Sequence, residues 1–180
     1  MKKVLTYEEI PKFVKAHRDL GERIVLTQGT YDMVHVGHGR YLKEAKRNGD
    51  ILIVGVDSDE KVKKRKGPNR PIVPENERVE MLTYLSSVDH LVIKPLEAKK
   101  WSLIKLVKPD VLIATKETYD DKQLEKLKKY CQEVKVLEPK ATTSTSAKIR
   151  RVQIGTAEEI SSKLKKKLLK QIEEIVNELK

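Results

Sequence analysis

The chain has 180 residues, a length that suits one compact domain with a small appendage. Hydrophobic residues make up 38% and charged residues 36%, enough apolar material for a core, which excludes wholesale disorder. Lys and Arg number 38 against 27 Asp and Glu, and the resulting net charge of +11 either solubilises helix surfaces or faces an anion. No apolar run approaches the roughly 18 residues that span a bilayer. Residues 1–10 hold two lysines with no apolar stretch behind them, so no secretory signal is expected. The lone Cys131 excludes an intramolecular disulfide and a zinc site built from clustered cysteines. A soluble, cytoplasmic protein is the expectation.

The spacing of Ile10, Phe13, Val14 and Leu20 predicts an amphipathic helix over 7–19. Thr6 is its expected N-cap and Gly21 its stop. Residues 23–27 (RIVLT) read as a buried strand and 29–38 as a glycine-containing loop. A helix over 38–48 follows, then a second buried strand over 51–56. The basic run 61–66 leads into a Gly/Pro loop over 67–74. Further elements are a helix over 74–85, a strand over 88–93, a helix over 98–107, a strand over 111–114, a helix over 121–131 and a strand over 134–137. Strands alternating with helices predict a parallel five-stranded α/β sheet with helices on both faces. Its ligand belongs beyond the strand C-termini, where strand order reverses. A long C-terminal helix over 157–179 carries an apolar stripe of Ile160, Leu164, Leu168, Ile172, Ile175 and Leu179. The stripe either packs onto its own domain or pairs with a second copy as a homodimer.

The densest cationic run is Lys61 to Lys66. Aromatic residues are only 4% of the chain and none lies inside the run, so a phosphorylated small molecule is favoured over nucleic acid. The densest chemistry lies in residues 27–38 (TQGTYDMVHVGH), leaving a strand and entering a helix. Gly29 and Gly37 allow tight turns and close ligand approach. The coming helix offers free N–H groups to an anion. His35 and His38 stand three apart and can converge to donate to phosphate oxygens as phosphorus becomes five-coordinate. Phosphoryl and nucleotidyl transfer need position and charge, not a covalent nucleophile. No Gly-Lys-Ser/Thr follows, so this is no Walker loop, and no G-x-G-x-x-G is present.

The segment GTYDMVHVGH resembles the G-x-[FY]-D-x-x-H-x-G-H motif of the cytidylyltransferase-like nucleotidyltransferases. The resemblance continues through residues 49–56 with Ser58-Asp59-Glu60, then Lys64-Arg65-Lys66-Gly67, Arg70-Pro71-Ile72, Glu77-Arg78, Ser144-Thr145-Ser146, Ile149 and Arg150. It covers about residues 4–152, and the opening helix and RIVLTQG resemble the nucleotidyltransferase domain of bacterial ADP-heptose synthases. It implies a Rossmann-like nucleotidyltransferase domain over 1–152 and a helical extension over 153–180. It also implies that a nucleoside triphosphate, ATP or CTP, reacts with a phosphorylated small-molecule acceptor and releases pyrophosphate. By matching position, His35, His38 and Lys66 are catalytic. The nucleotide is held by Gly29, Thr30, Tyr31, His35, Gly37, His38 and by Ser144, Thr145 and Ser146 capping a helix. Lys64, Lys66, Arg78 and Arg150 contact phosphate or acceptor, although a structural ion pair is the competing role for Arg78. Asp32 is read as an orienting or capping residue. Magnesium is expected to arrive with the nucleotide, without a ligand set from the protein.

Two departures bear on the substrate. Thr115-Lys116-Glu117-Thr118-Tyr119 stands where ADP-heptose synthases carry Lys-Gly-Gly-Asp-Tyr, so only Tyr119 is shared. Residues 31–35 and Lys66-Gly67-Pro68 look as much like phosphoethanolamine cytidylyltransferases, and glycerol-3-phosphate cytidylyltransferases share the scaffold without their Arg-Thr-Glu-Gly. A sugar- or polyol-phosphate nucleotidyltransferase of ADP-heptose type is the first expectation. A CTP-dependent cytidylyltransferase is the second, and a basic binding module that has lost turnover is the third.

Overall fold

The computed structural model describes residues 3–116, 118–138 and 145–178. The chain divides into two units, Met1–Ala141 and Thr142–Lys180. The first holds five parallel strands: β1 (Ile24–Gly29), β2 (Ile51–Asp57), β3 (His90–Lys94), β4 (Val111–Ala114) and β5 (Glu133–Val136). Their order in the sheet is β3-β2-β1-β4-β5. The chain therefore winds one way from β1 to β3 and the other way from β4, and order reverses beside β1, as expected of a Rossmann-like sheet.

Among its described residues this unit has six helices: α1 (Ile10–Asp19), α2 (Val36–Lys46), α3 (Asp59–Lys66), α4 (Glu75–Thr83), α5 (Ser102–Val107) and α6 (Asp121–Leu127). Strand alternation sends Val25, Leu52, Val54, Val56, Leu91 and Ile113 into a core with Leu42 and Ala45 of α2 and Val79 and Leu82 of α4. Ile24, Leu26, Ile53, Val92 and Leu112 enter a second core with α1, α5 and Leu127 of α6. β4 and the first residues of β1 and β2 are apolar on both faces because both faces are covered.

Several boundaries differ from the sequence expectation. Helix α1 starts at Ile10, and its N-cap is Glu9 rather than Thr6. Thr6 instead forms a turn in which its backbone N–H donates to the Glu9 carboxylate at 2.8 Å and its carbonyl accepts from Glu9 N–H at 3.2 Å. The expected helix over 98–107 shortens to six residues, because Trp101 takes a left-handed backbone (φ 62°) that starts the helix only at Ser102. β1 extends through Gly29, into the expected loop, and α6 ends at Leu127.

Among the described residues the second unit holds one helix, α7 (Thr145–Glu178), of 34 residues. It begins twelve residues before the expected start, and residue 152, where the sequence reading divided the chain, lies inside it. Along it Ile160, Leu164, Leu168 and Ile172 are each more than half exposed. Among the described residues no helix is long and apolar enough to cross a membrane.

Candidate active site

The site grows from the turn between β1 and α2. After Gly29 the chain carries two non-glycine residues in the left-handed region, Tyr31 (φ 52°) and Met33 (φ 49°). This folds the Tyr31 ring back over Gly29, where an added Cβ would lie 3.0 Å from Tyr31 Cε2. A side chain at Gly29 would thus crowd the tyrosine ring. Tyr31 is buried, and its ring meets His38 edge-on with centroids 5.6 Å apart. Burial, reinforced by the nearby Tyr41 phenol, pushes the Tyr31 hydroxyl pKa well up, so it stays neutral.

His35 is the N-cap of α2, whose first residue is Val36, so the helix opens two residues earlier than expected. Its Nδ1 accepts from the Gly37 N–H at 3.0 Å, and His38 Nδ1 accepts from the His35 N–H at 3.3 Å. Together they make a reciprocal capping box, in which two imidazoles do what Ser and Glu ordinarily do. The rings lie with centroids 4.2 Å apart. An Nδ1 that accepts leaves the proton of a neutral ring on Nε2. The cap therefore fixes both the tautomer and the orientation of the two histidines, at the positive end of a helix.

The loop facing this turn is tied to it by buried ions. Asp32 accepts from the backbone N–H groups of Ile72 (3.1 Å) and Val73 (3.0 Å) and pairs with Arg70 at 2.7 Å. This is the orienting role expected of Asp32. Arg78 is 1% exposed, and its guanidinium donates to the carbonyls of Val73, Thr30 and Asp57 and to Asp59 Oδ1. Arg78 thus takes the structural ion-pair arrangement: it clamps the ends of β1 and β2 to α4 instead of presenting a guanidinium to phosphate. Thr30 receives Arg65 Nη2 on its Oγ1 at 2.7 Å.

Helix α3 carries the basic run. Ser58 caps it through Lys61 N–H, Asp59 and Glu60 sit in its first turn, and Lys63 to Lys66 fill its last, an order that complements the helix dipole. Lys64 and Lys66 both reach the surface. Partial withdrawal from water lowers the Lys66 pKa, and the neighbouring Arg65 and Arg70 cations push it the same way. Cations crowded in this manner are relieved by an anion.

On the other face of the sheet lies a polar group the sequence reading did not single out. Asp57 is 1% exposed and accepts from Lys94 Nζ at 3.0 Å and from Arg65 Nη2 at 2.9 Å. Asp57 and Lys94 are register partners across β2 and β3, which no local pattern reveals without the strand order. Burial lowers the Lys94 pKa and Asp57 opposes the shift. Nearby, Gln28 Nε2 donates to the Tyr119 hydroxyl at 3.2 Å. Burial, then the Asp57 carboxylate, drives the Tyr119 pKa far up. An added Cβ at Gly55 would lie 3.0 Å from both Gln28 Cγ and Lys94 Cδ and 2.7 Å from Leu103 Cδ2.

Residues 26–171 match the family model described as cytidylyltransferase-like. The chain belongs to this family. It is 41% identical over 152 residues to the bifunctional protein HldE of Aliarcobacter butzleri, covering 83% of this chain and 31% of that protein. To HldE of Nitratiruptor it is 48% identical over 107 residues, covering 59% of this chain and 23% of that protein. The chain thus spans less than a third of these relatives' length. Among solved structures it is similar to a lipopolysaccharide core biosynthesis protein from Thermoplasma volcanium, at 29% identity and TM-score 0.57, covering 66% of this chain and 98% of that one. A pantoate-beta-alanine ligase from Francisella tularensis shares the fold at 14% identity and TM-score 0.57, covering 76% of this chain and 67% of that one.

The cytidylyltransferase-like motif coincides with the capped α2 turn, and its Lys-x-Lys element with the end of α3. Thr115 and Thr118 form a turn whose hydroxyls lie 2.9 Å apart, leading to Tyr119. Ser144 lies outside the described residues, while Thr145, Ser146 and Arg150 fall in the first turns of α7.

Proposed function

We propose that the chain transfers a nucleotidyl group from a nucleoside triphosphate to a phosphorylated acceptor. An acceptor phosphate oxygen attacks the α-phosphorus. The bond from that phosphorus to the bridging oxygen breaks, and pyrophosphate leaves with the electron pair. The carrying observation is the double-histidine cap: both rings hold their Nδ1 on the main chain, which keeps Nε2–H groups as donors beside a helix N-terminus. Lys66 and Lys64 supply charge to the triphosphate and acceptor, and Ser144, Thr145, Ser146 and Arg150 are proposed to hold its outer phosphates.

Magnesium is proposed to enter on the triphosphate. The donor set fits this: Asp32 already accepts from two amides and Arg70, and the turn's imidazoles and the cations at the end of α3 suit phosphate oxygens. When bound, the ion would screen the phosphate charge that opposes attack.

Sugar-phosphate chemistry of the ADP-heptose type is preferred, supported by the long match to HldE proteins. The test is pyrophosphate release with ATP, CTP, GTP and UTP, each paired with heptose 1-phosphate, glycerol 3-phosphate, phosphoethanolamine and phosphocholine. Turnover with ATP and heptose 1-phosphate is expected. Turnover only with CTP and another acceptor replaces this reading with a cytidylyltransferase, and absence of nucleotide binding overturns transfer altogether.

A further inference from the structure

Every described residue of α7 from 154 to 172 is exposed. Ile154, Ala157, Ser161, Leu164, Leu168 and Gln171 recur three and four apart, so on a helix they fall on one seam. Ile160 and Ile172 widen it, and Ile154, Ile160, Leu164, Leu168 and Ile172 are each more than half exposed. A contiguous apolar seam of this kind marks an interaction surface. Its charges come in blocks: Glu158 and Glu159, then Lys163, Lys165, Lys166 and Lys167. We propose that this seam docks on the same seam of a second copy of the chain, antiparallel, with Ser161 opposite Leu164 of the second copy about a two-fold axis.

Two independent observations select that direction and register. The first is size. Residues equidistant from the axis face each other, so Ser161 meets Leu164, Ala157 meets Leu168 and Ile154 meets Gln171. Small residues face large ones in the central layers, and such layers interdigitate. A parallel pair in register sets Ala157 and Ser161 against their own copies and leaves voids there. The second is charge. Glu158 and Lys165 flank the seam on the same side, seven residues apart. The antiparallel register brings Glu158 beside Lys165 of the second copy, and symmetry repeats the pair. Glu159 already pairs with Lys163 inside the helix at 2.6 Å, whereas among the described residues Glu158 and Lys165 form no ion pair. On the other flank Ile160 is covered by the stem of Lys167 of the second copy. Sliding the helices by one heptad brings Lys165 beside Lys165, or Glu158 beside Glu158. A parallel pair lays the basic run along its own copy, inside the screening length of about 8–10 Å.

The test is sedimentation of the full chain, with charge swaps on the flank. The wild type is expected to be a dimer. Glu158→Lys and Lys165→Glu each turn two attractive contacts into repulsive ones and should raise the dimer Kd about tenfold. The double variant restores opposite charges across the axis, and its Kd should return to within about threefold of wild type. A wild type that stays monomeric at tens of micromolar overturns the proposal. A dimer whose double variant is as weak as the singles overturns the antiparallel register. Disulfide trapping reads direction independently of charge. Chains with Ser161→Cys and chains with Leu164→Cys, both carrying Cys131→Ala, are mixed and oxidised. Linkage between unlike chains is expected, and linkage of Ser161→Cys chains to each other alone overturns the arrangement.

Discussion

His35 and His38 each serve structure and chemistry, and substitution can separate the two. His38→Ala is expected to lower pyrophosphate release by about 10²–10³, the scale of losing one transition-state donor. It also removes half of the capping box, at about 1 kcal/mol of stability. His35→Asn keeps an N-cap acceptor, so its urea midpoint should stay near wild type while activity falls. Activity within a few-fold of wild type in either variant sinks the assigned role. Arg78 makes the opposite case. Arg78→Leu strips donors from three carbonyls and Asp59 in a buried site, and a loss of about 3 kcal/mol in denaturant unfolding is expected. The sequence marked Arg78 by its place in a motif, but its role depends on carbonyls brought together from β1, β2 and the loop before α4.

At the scale of elements, legibility followed locality. β4 was placed from its own residues because a continuous run of Val111, Leu112, Ile113 and Ala114 is buried on both faces. The histidine turn was found because glycines, histidines and a strand end coincide within a dozen residues. The Asp57–Lys94 pair stayed hidden because it is created by register between strands. Trp101 hid the true start of α5, since its left-handed backbone breaks a pattern that reads as helical on side chains alone. The packing of α1 on β3 yields a further prediction. Phe13 stacks between His17 and His90, with centroids 4.2 Å from each, and His90 Nδ1 is buried without a hydrogen-bond partner. Burial lowers the His90 pKa, Asp89 opposes the shift, and the Lys3 cation adds to it. His90 therefore binds its proton more readily in the unfolded chain. Stability should fall as pH drops from about 6.5, the unfolded value, toward the lower folded value. Thermal melts of wild type and His90→Gln check this: the variant should lose part of the slope in that window.

At the scale of the whole molecule, α7 carries the apolar stripe that the sequence read as either a packing surface or a dimer contact. Along it Ile154, Ile160, Leu164, Leu168, Leu169 and Ile172 are exposed at 51–56%. If the stripe is a contact between copies, truncation after Gly155 converts a dimer to a monomer in light scattering. An unchanged mass assigns the helix a role within its own chain.

The strand order has a consequence for synthesis. β1 is the middle strand, and its second neighbour is β4, with Val25 beside Val111. While the chain emerges from the ribosome, β1 can join β2 early, yet one of its edges waits some eighty residues for β4. During that interval the unpaired backbone edge of a largely apolar strand is open to strangers. Nascent chains stalled before residue 111 should therefore be the species that chaperones hold longest, and release should coincide with the emergence of β4.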